Sequence, residues 1–145
     1  MRKLIALFPL LFVLTFVGCN HKKSSDIPSA VTQAFSSKFA NAQNVKWKKV
    51  NEFEYDVTFS NDNKKMKASF SEDGGLLSTT KQINESKLPK EVMSAVTKNY
   101  KKSDIAMAYE ITNKKGTQYE VDVRQNGKVS DLTFDDTGDL IQQGS

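Results

Sequence analysis

Between Ile27 and Phe39 the apolar residues recur every four positions, as Ile27, Val31, Phe35 and Phe39, with Ala34 on the same side. That spacing predicts one buried stripe of an α-helix. Leu88, Val92, Val96 and Tyr100 repeat it later in the chain, with Ala95 alongside. Pro28 and Pro89 open the two stripes, where a missing N–H costs nothing and the fixed φ suits a first turn. After each stripe the period changes to two. Val45 and Trp47 alternate with Lys46 and Lys48, and Phe53, Tyr55, Val57 and Phe59 with Glu54, Asp56 and Thr58. In the second segment Ile105, Met107 and Tyr109 alternate with Ala106, Ala108 and Glu110, and Tyr119, Val121 and Val123 with Glu120, Asp122 and Arg124. Alternation predicts strands with one covered face, formed by the apolar set. A third strand in each segment ends on Phe70 and Phe134, and a short fourth begins at Leu76 and Leu140.

The turns carry their own signals. Asn126-Gly127 accepts positive φ at both central positions of a tight hairpin. Asn113 to Gly116 and Ser60 to Asn63 are looser versions. "SEDGG" and "FDDTGD" place Gly74 and Gly138 alike, as left-handed residues closing hairpin loops. The chain therefore predicts an α+β domain over 27–145, made of two tandem helix-plus-four-strand repeats, 27–84 and 88–145, joined at Glu85 to Lys87. A unit of about 60 residues is marginal alone, so the two repeats are expected to share one antiparallel sheet and one core, with both helices packed on one face.

The start of the chain reads differently. Arg2 and Lys3 precede the apolar run Leu4 to Val17, which has the length of a signal peptide and is short for a membrane span. Gly18 before Cys19, the only cysteine, resembles the lipobox of bacterial lipoproteins, which implies a signal peptide over 1–18 and a lipid on Cys19. Residues 19–26, polar and aperiodic, read as a tether. The bilayer, reached through Cys19, is then one partner, and the location is the cell envelope, periplasmic or facing the outer membrane. The whole chain has 21 Lys and Arg against 17 Asp and Glu, a net charge of +4. Removing Arg2 and Lys3 with the signal leaves the mature chain two charges less basic, which is no nucleic-acid footprint. His21, the one histidine, lies in the tether, so Ser–His, Cys–His and multi-histidine metal sites are not expected.

"IPSAV" and "LPKEV" at the helix starts, with "FSEDGGLL" and "FDDTGDLI" at the turns, resemble the PepSY-like, beta-lactamase-inhibitor-like proteins of bacterial envelopes. The resemblance covers nearly all of the mature chain. It implies a sheet of up to eight antiparallel strands with both helices on one face, and a binding role toward an envelope protein or peptide. Lys46, Lys48, Glu54, Asp56, Thr58, Glu120, Asp122 and Arg124 would then form the opposite, protein-binding face. The inhibitors that give the family its name present aromatics from that open face. Here the alternation puts the aromatics on the covered one, which argues against direct inhibition of a beta-lactamase.

Neither catalytic residues nor a cofactor are expected. No Ser-x-x-Lys element, nucleophile elbow, zinc helix motif or phosphate loop is expected, and the pairs Glu72/Asp73 and Asp135/Asp136 sit in exposed turns. Two alternatives remain beside a noncatalytic, lipid-anchored periplasmic binding module. One is a calcium-binding accessory protein, from the carboxylates of "DDTGD" at Asp135 to Asp139, which lack EF-hand spacing. The other, weaker, is a hydrolase.

Overall fold

A computed structural model of the chain describes residues 26–144. The expected signal peptide, Cys19, His21 and nearly all of the expected tether lie outside the described residues. Helix α1 spans Ser29–Lys38 and is followed by β1 (Gln43–Lys49), β2 (Glu54–Asn61), β3 (Lys64–Ser71) and β4 (Leu76–Ile83). Helix α2 (Lys90–Thr97) leads into β5 (Ile105–Asn113), β6 (Gly116–Gln125), β7 (Lys128–Asp135) and β8 (Leu140–Gln143). All eight strands form one sheet in the order β1 to β8, each antiparallel to its neighbours. The fold is α+β, with one helix before each set of four strands.

The hairpins form where the sequence places positive-φ residues. Asp62 and Asn63 (φ 49° and 61°) turn β2 into β3, and Asn126 and Gly127 (φ 52° and 79°) turn β6 into β7. The loops before β4 and β8 match closely. Gly74 and Gly138 both have φ 86°. Ser71 N donates to Gly75 O, as Asp135 N does to Asp139 O, and Gly74 N donates to Ser71 O, as Gly138 N does to Asp135 O. A Cβ on Gly74 would stand 2.7 Å from the carbonyl oxygen of Ala30, and one on Gly138 would stand 2.7 Å from that of Glu91. Ala30 and Glu91 each lie two residues after the proline that opens a helix. The glycine thus serves the turn and also lets the loop backbone touch the first turn of the helix.

The expected single core is two. Val31 and Phe35 of α1 cluster with Tyr55, Val57, Phe59, Ala68 and Phe70, while Val92 and Val96 of α2 cluster with Ala108, Val121, Val123, Leu132 and Phe134. Across the first seven strands, register puts the buried strand residues of both clusters on the same face of the sheet. On that face, between the clusters, Lys81 of β4 stands directly opposite Glu110 of β5, and Thr79 opposite Thr112. The reason is size. Helices of ten and eight residues are about 15 and 12 Å long, enough to cover a few strands but not eight.

Three other expectations change. Phe53 is not on the covered stripe but 65% exposed in the β1–β2 loop, where its N–H donates to Asn51 Oδ1 at 2.8 Å and Val50 N closes the hairpin on Glu54 O. β4 is not short, because as an interior strand it pairs along its length with both β3 and β5, whereas the edge strand β8 has four residues. The third concerns β5. A bulge between Ile105 and Met107 inserts one residue, so Ile105 opposite Val123 and Ala108 opposite Val121 both face the α2 core. Met107 and Tyr109 are thereby turned to the opposite face.

Candidate functional site

The candidate site is the sheet face turned away from the two cores. Strand alternation fixes its membership, because each expected residue is out of phase with the core-facing residues of its own strand. Lys46 lies opposite Thr58, and Lys48 opposite Asp56. Glu54 lies opposite Ser71, Glu120 opposite Thr133, Asp122 opposite Asp131, and Arg124 opposite Val129. The structure brings these eight residues onto one face but into two groups, on β1–β2 and on β6, separated by β3, β4 and β5.

Residues that the sequence reading missed fill the gap. Tyr109 projects from β5 onto this face, flanked by Gln82 of β4 and Glu120 of β6. Every other aromatic within the strands belongs to a core cluster or packs against one. The expectation of a face without aromatics is therefore overturned, and the bulge at Ile105/Met107 is the cause. Tyr109, Thr80, Lys67, Lys65, Thr58 and Lys46 line a shallow cavity of about 310 Å³. Only the step of three residues between half-buried Ile105 and buried Ala108, both facing the α2 core, could have revealed the inversion, and the intervening apolar residues hide it.

Charge is divided across the face. β1, β2 and β3 present Lys46, Lys48, Lys65 and Lys67 with only Glu54 and Asp56 against them. Asp56 is occupied internally: its Oδ2 lies 2.8 Å from Lys67 Nζ, and its Oδ1 accepts the hydroxyl of Ser69, the one buried polar residue among those described, at 2.6 Å. Asp56 is thus a structural residue of β2–β3 as well as a surface charge. On the far side β6 and β7 present Glu120, Asp122, Asp131 and Asp135 against Arg124. Burial raises the Glu120 carboxyl above its ordinary value, and the negative Asp122 and Asp131 raise it further, with Lys67 pulling slightly the other way. Asp122 is raised by burial and then by Asp131. Burial also raises the Tyr109 hydroxyl, helped by Asp122, Glu120 and Asp131. Among the described residues no lysine or arginine forms a salt bridge with these three carboxylates.

Asp122 and Asp131 are like charges directly opposite each other in a ladder, a destabilising arrangement. Asp131→Asn should therefore stabilise the fold at neutral pH and low salt, by about 0.5 kcal/mol or less for side chains this exposed. Because the folded values of Asp122 and Glu120 are raised, the native state takes up protons before the unfolded chain does. The repulsion is thus fully present above those raised values and relieved as pH falls through the carboxylate range. Urea midpoints of variant and wild type should differ at pH 7 and converge in acid. Equal midpoints at pH 7 in low salt would disprove the repulsion.

Two chemical alternatives meet particular geometry. In "DDTGD", Asp135 Oδ1 accepts from Thr137 N at 3.0 Å, Thr137 Oγ1 at 2.7 Å and Asp139 N at 2.9 Å. Those bonds, the Thr137 hydroxyl first, hold its carboxyl below the ordinary value. That oxygen is spent on its own loop. Among the described residues no group of three or more His, Cys, Asp or Glu is arranged to hold a metal ion. One catalytic spacing escaped the motif reading: Ser78-Thr79-Thr80-Lys81 is a Ser-x-x-Lys quartet. That spacing brings serine and lysine together on a helix. On β4 it puts Ser78, opposite Ser69, and Lys81, opposite Met66, on different faces of the sheet.

No helix among the described residues is long and apolar enough to cross a membrane. The fold is similar to three crystal structures from Bacteroides. The first is of a BLIP-like protein from Bacteroides fragilis, with 25% identity, TM-score 0.63, and coverage of 81% of this chain and 85% of that one. The second, from Bacteroides eggerthii and described as "putative periplasmic proteins", has 14% identity, TM-score 0.71, and coverage of 81% and 88%. The third, of a DUF2874 family protein from Bacteroides uniformis, has 18% identity, TM-score 0.69, and coverage of 81% and 88%. Among curated proteins none matches. The sequence profile described as "Putative beta-lactamase-inhibitor-like, PepSY-like" matches residues 19–78 and again 53–142. The two matches together take in both helices, β1 to β7, all but the last residue of β8, and the charged face, and the chain belongs to this PepSY-like family.

Proposed function

We propose that the chain is a noncatalytic, lipid-anchored binding module of the cell envelope that receives a protein partner on the open sheet face. The observation that carries the reading is Tyr109, an aromatic in the middle of a charged sheet face, with lysines toward one edge and carboxylates toward the other. Half-exposed tyrosines amid polar side chains are typical anchors of protein interfaces. The family's inhibitor-like description and the BLIP-like neighbour favour binding over catalysis. The two tandem repeats, each a helix and four strands, supply the wide sheet, and both helices on the other face leave this one open. The anchor rests on Cys19 after the apolar run, with the tether of residues 19–26 holding the domain off the bilayer.

A photoreactive amino acid replacing Tyr109 in the full-length, membrane-bound protein should cross-link to a protein partner in the envelope. The same probe replacing Ser94, exposed on α2, should not. Equal cross-linking from Ser94, or from Ser94 alone, would move the site to the helical side. In parallel, Cys19→Ala should release the protein from the membrane fraction or leave it unprocessed. Unchanged lipid labelling of that variant would remove the anchor.

A further inference from the structure

We infer that the partner this face fits is a second copy of the same chain, stacked face to face about a two-fold axis that runs parallel to the strands along β4–β5. This rests on the reading of the open face as the contact surface and adds the identity of the occupant.

The first support is the order of charge across the sheet. The excess of lysine lies on β1–β3 and the excess of carboxylate on β6–β7, while the face of β4 and β5 between them carries Ser78, Thr80 and Gln82 with Met107, Tyr109 and Ile111. Such a face is complementary to itself under one operation only. Turning a copy over about an axis along the central strands lays its basic half on the acidic half of the other, twice, as an isologous interface requires. An axis across the strands would instead set lysine on lysine and carboxylate on carboxylate.

Register supports the same axis, because rotation about it keeps each cross-sheet row level. Lys67 shares a row with Thr80, Ile111, Gln118 and Asp135. One step along, the row through Tyr109 holds Glu120. With the axis between β4 and β5, β3 of one copy overlies β6 of the other, so Lys65 and Lys67 meet the rows of Glu120 and Gln118. Thr80 then overlies Ile111, and the apolar β5 side chains of each copy pack on the neutral β4 of the other. Aligned stacking of two sheets, with the angle set by their twist, is an ordinary packing of such faces.

The area suffices. Eight strands about 4.8 Å apart and about eight residues long at about 3.3 Å each offer roughly 900 Å² per copy. A stable interface needs about 800 Å² per partner. Glu120, which Asp122 and Asp131 crowd in the single chain, would gain Lys65 from the second copy. If the proposed anchor holds both copies on one bilayer, tethering raises their effective concentration and lowers the affinity required.

The test uses full-length protein purified in detergent and read by sedimentation velocity, with circular dichroism confirming the fold of each variant. Wild type should sediment as a dimer at about 100 μM, a modest demand on affinity. Lys46→Glu with Lys65→Glu makes both halves acidic, and Glu120→Lys with Asp131→Lys makes both basic. Each double variant alone should lose dimer affinity by about tenfold or more, equivalent to about 1.4 kcal/mol. A mixture of the two should recover it as a heterodimer. Folded wild type that is monomeric at that concentration would overturn the inference, as would double variants that dimerise like wild type. If the protein is monomeric yet the Tyr109 probe captures a different protein, this inference falls and the binding reading stands. If the Tyr109 probe captures nothing, both fall.

Discussion

Phe35→Ala should destabilise the fold by about 3–5 kcal/mol, the cost of removing a buried aromatic ring and leaving its cavity. Phe35 is 6% exposed and, with Val31, fastens α1 to the sheet. Its ring centroid lies 5.0 Å from that of Phe59, 5.3 Å from Trp47, 5.5 Å from Phe39 and 6.3 Å from Phe70. The contacts with Phe59, Trp47 and Phe70 are edge-on, the geometry in which ring quadrupoles attract. Domains of this size are stable by only about 5–15 kcal/mol, so the loss would take a large share. Urea unfolding measures it directly. A loss below about 1 kcal/mol would mean that the surrounding rings close the gap, and that α1 is held by something other than this cluster.

Gly138→Ala should be the costliest of the single-methyl additions in the turns, together with Gly74→Ala. Two penalties coincide. The residue has φ 86°, where a side chain is strained, and the new Cβ would stand 2.7 Å from both the carbonyl carbon and the oxygen of Glu91. The backbone strain alone is about 1–3 kcal/mol, and relieving the contact must shift either the β7–β8 loop or the first turn of α2. Gly127→Ala supplies the control, since it has φ 79° but nothing within 4 Å of the added Cβ. It should cost about 1 kcal/mol. The difference between the two variants in urea therefore reports the loop-to-helix contact. Equal losses would show that the contact carries no energy.

These glycines were legible in the sequence because they answer to local chemistry, as did both helix stripes and the Asn126-Gly127 hairpin. β2 and β6 were legible too, since Tyr55, Val57 and Phe59, and Val121 and Val123, alternate without interruption. β5 was misread. A bulge changes the phase of a strand without changing its composition, so Met107, Tyr109 and Ile111 look like a core stripe and are a surface one. The polar midline of the covered face, Lys81 against Glu110, was equally hidden, because it depends on how many strands a short helix spans. The eight candidate residues do share a face, but their separation into a basic and an acidic half follows from strand order. Only the pairing of β4 with β5 decides which half adjoins which. Asp56 looked like one surface charge among several, and its bond to Ser69, thirteen residues away, shows otherwise.

The strict β1-to-β8 order has a kinetic consequence. Six of the seven strand pairings join consecutive strands through short loops, so little chain entropy is lost in closing each before its contacts form. The pairing of β4 with β5 alone must wait for a segment containing α2 to fold back. A sheet this wide would ordinarily fold slowly if its strands came from distant parts of the chain. Here the two halves can each settle around their own cluster first, and the late step is the docking of one preformed half against the other. Ile83, which extends from β4 into the second cluster, is then a side chain whose truncation should speed unfolding at that seam more than it slows the early collapse of either half.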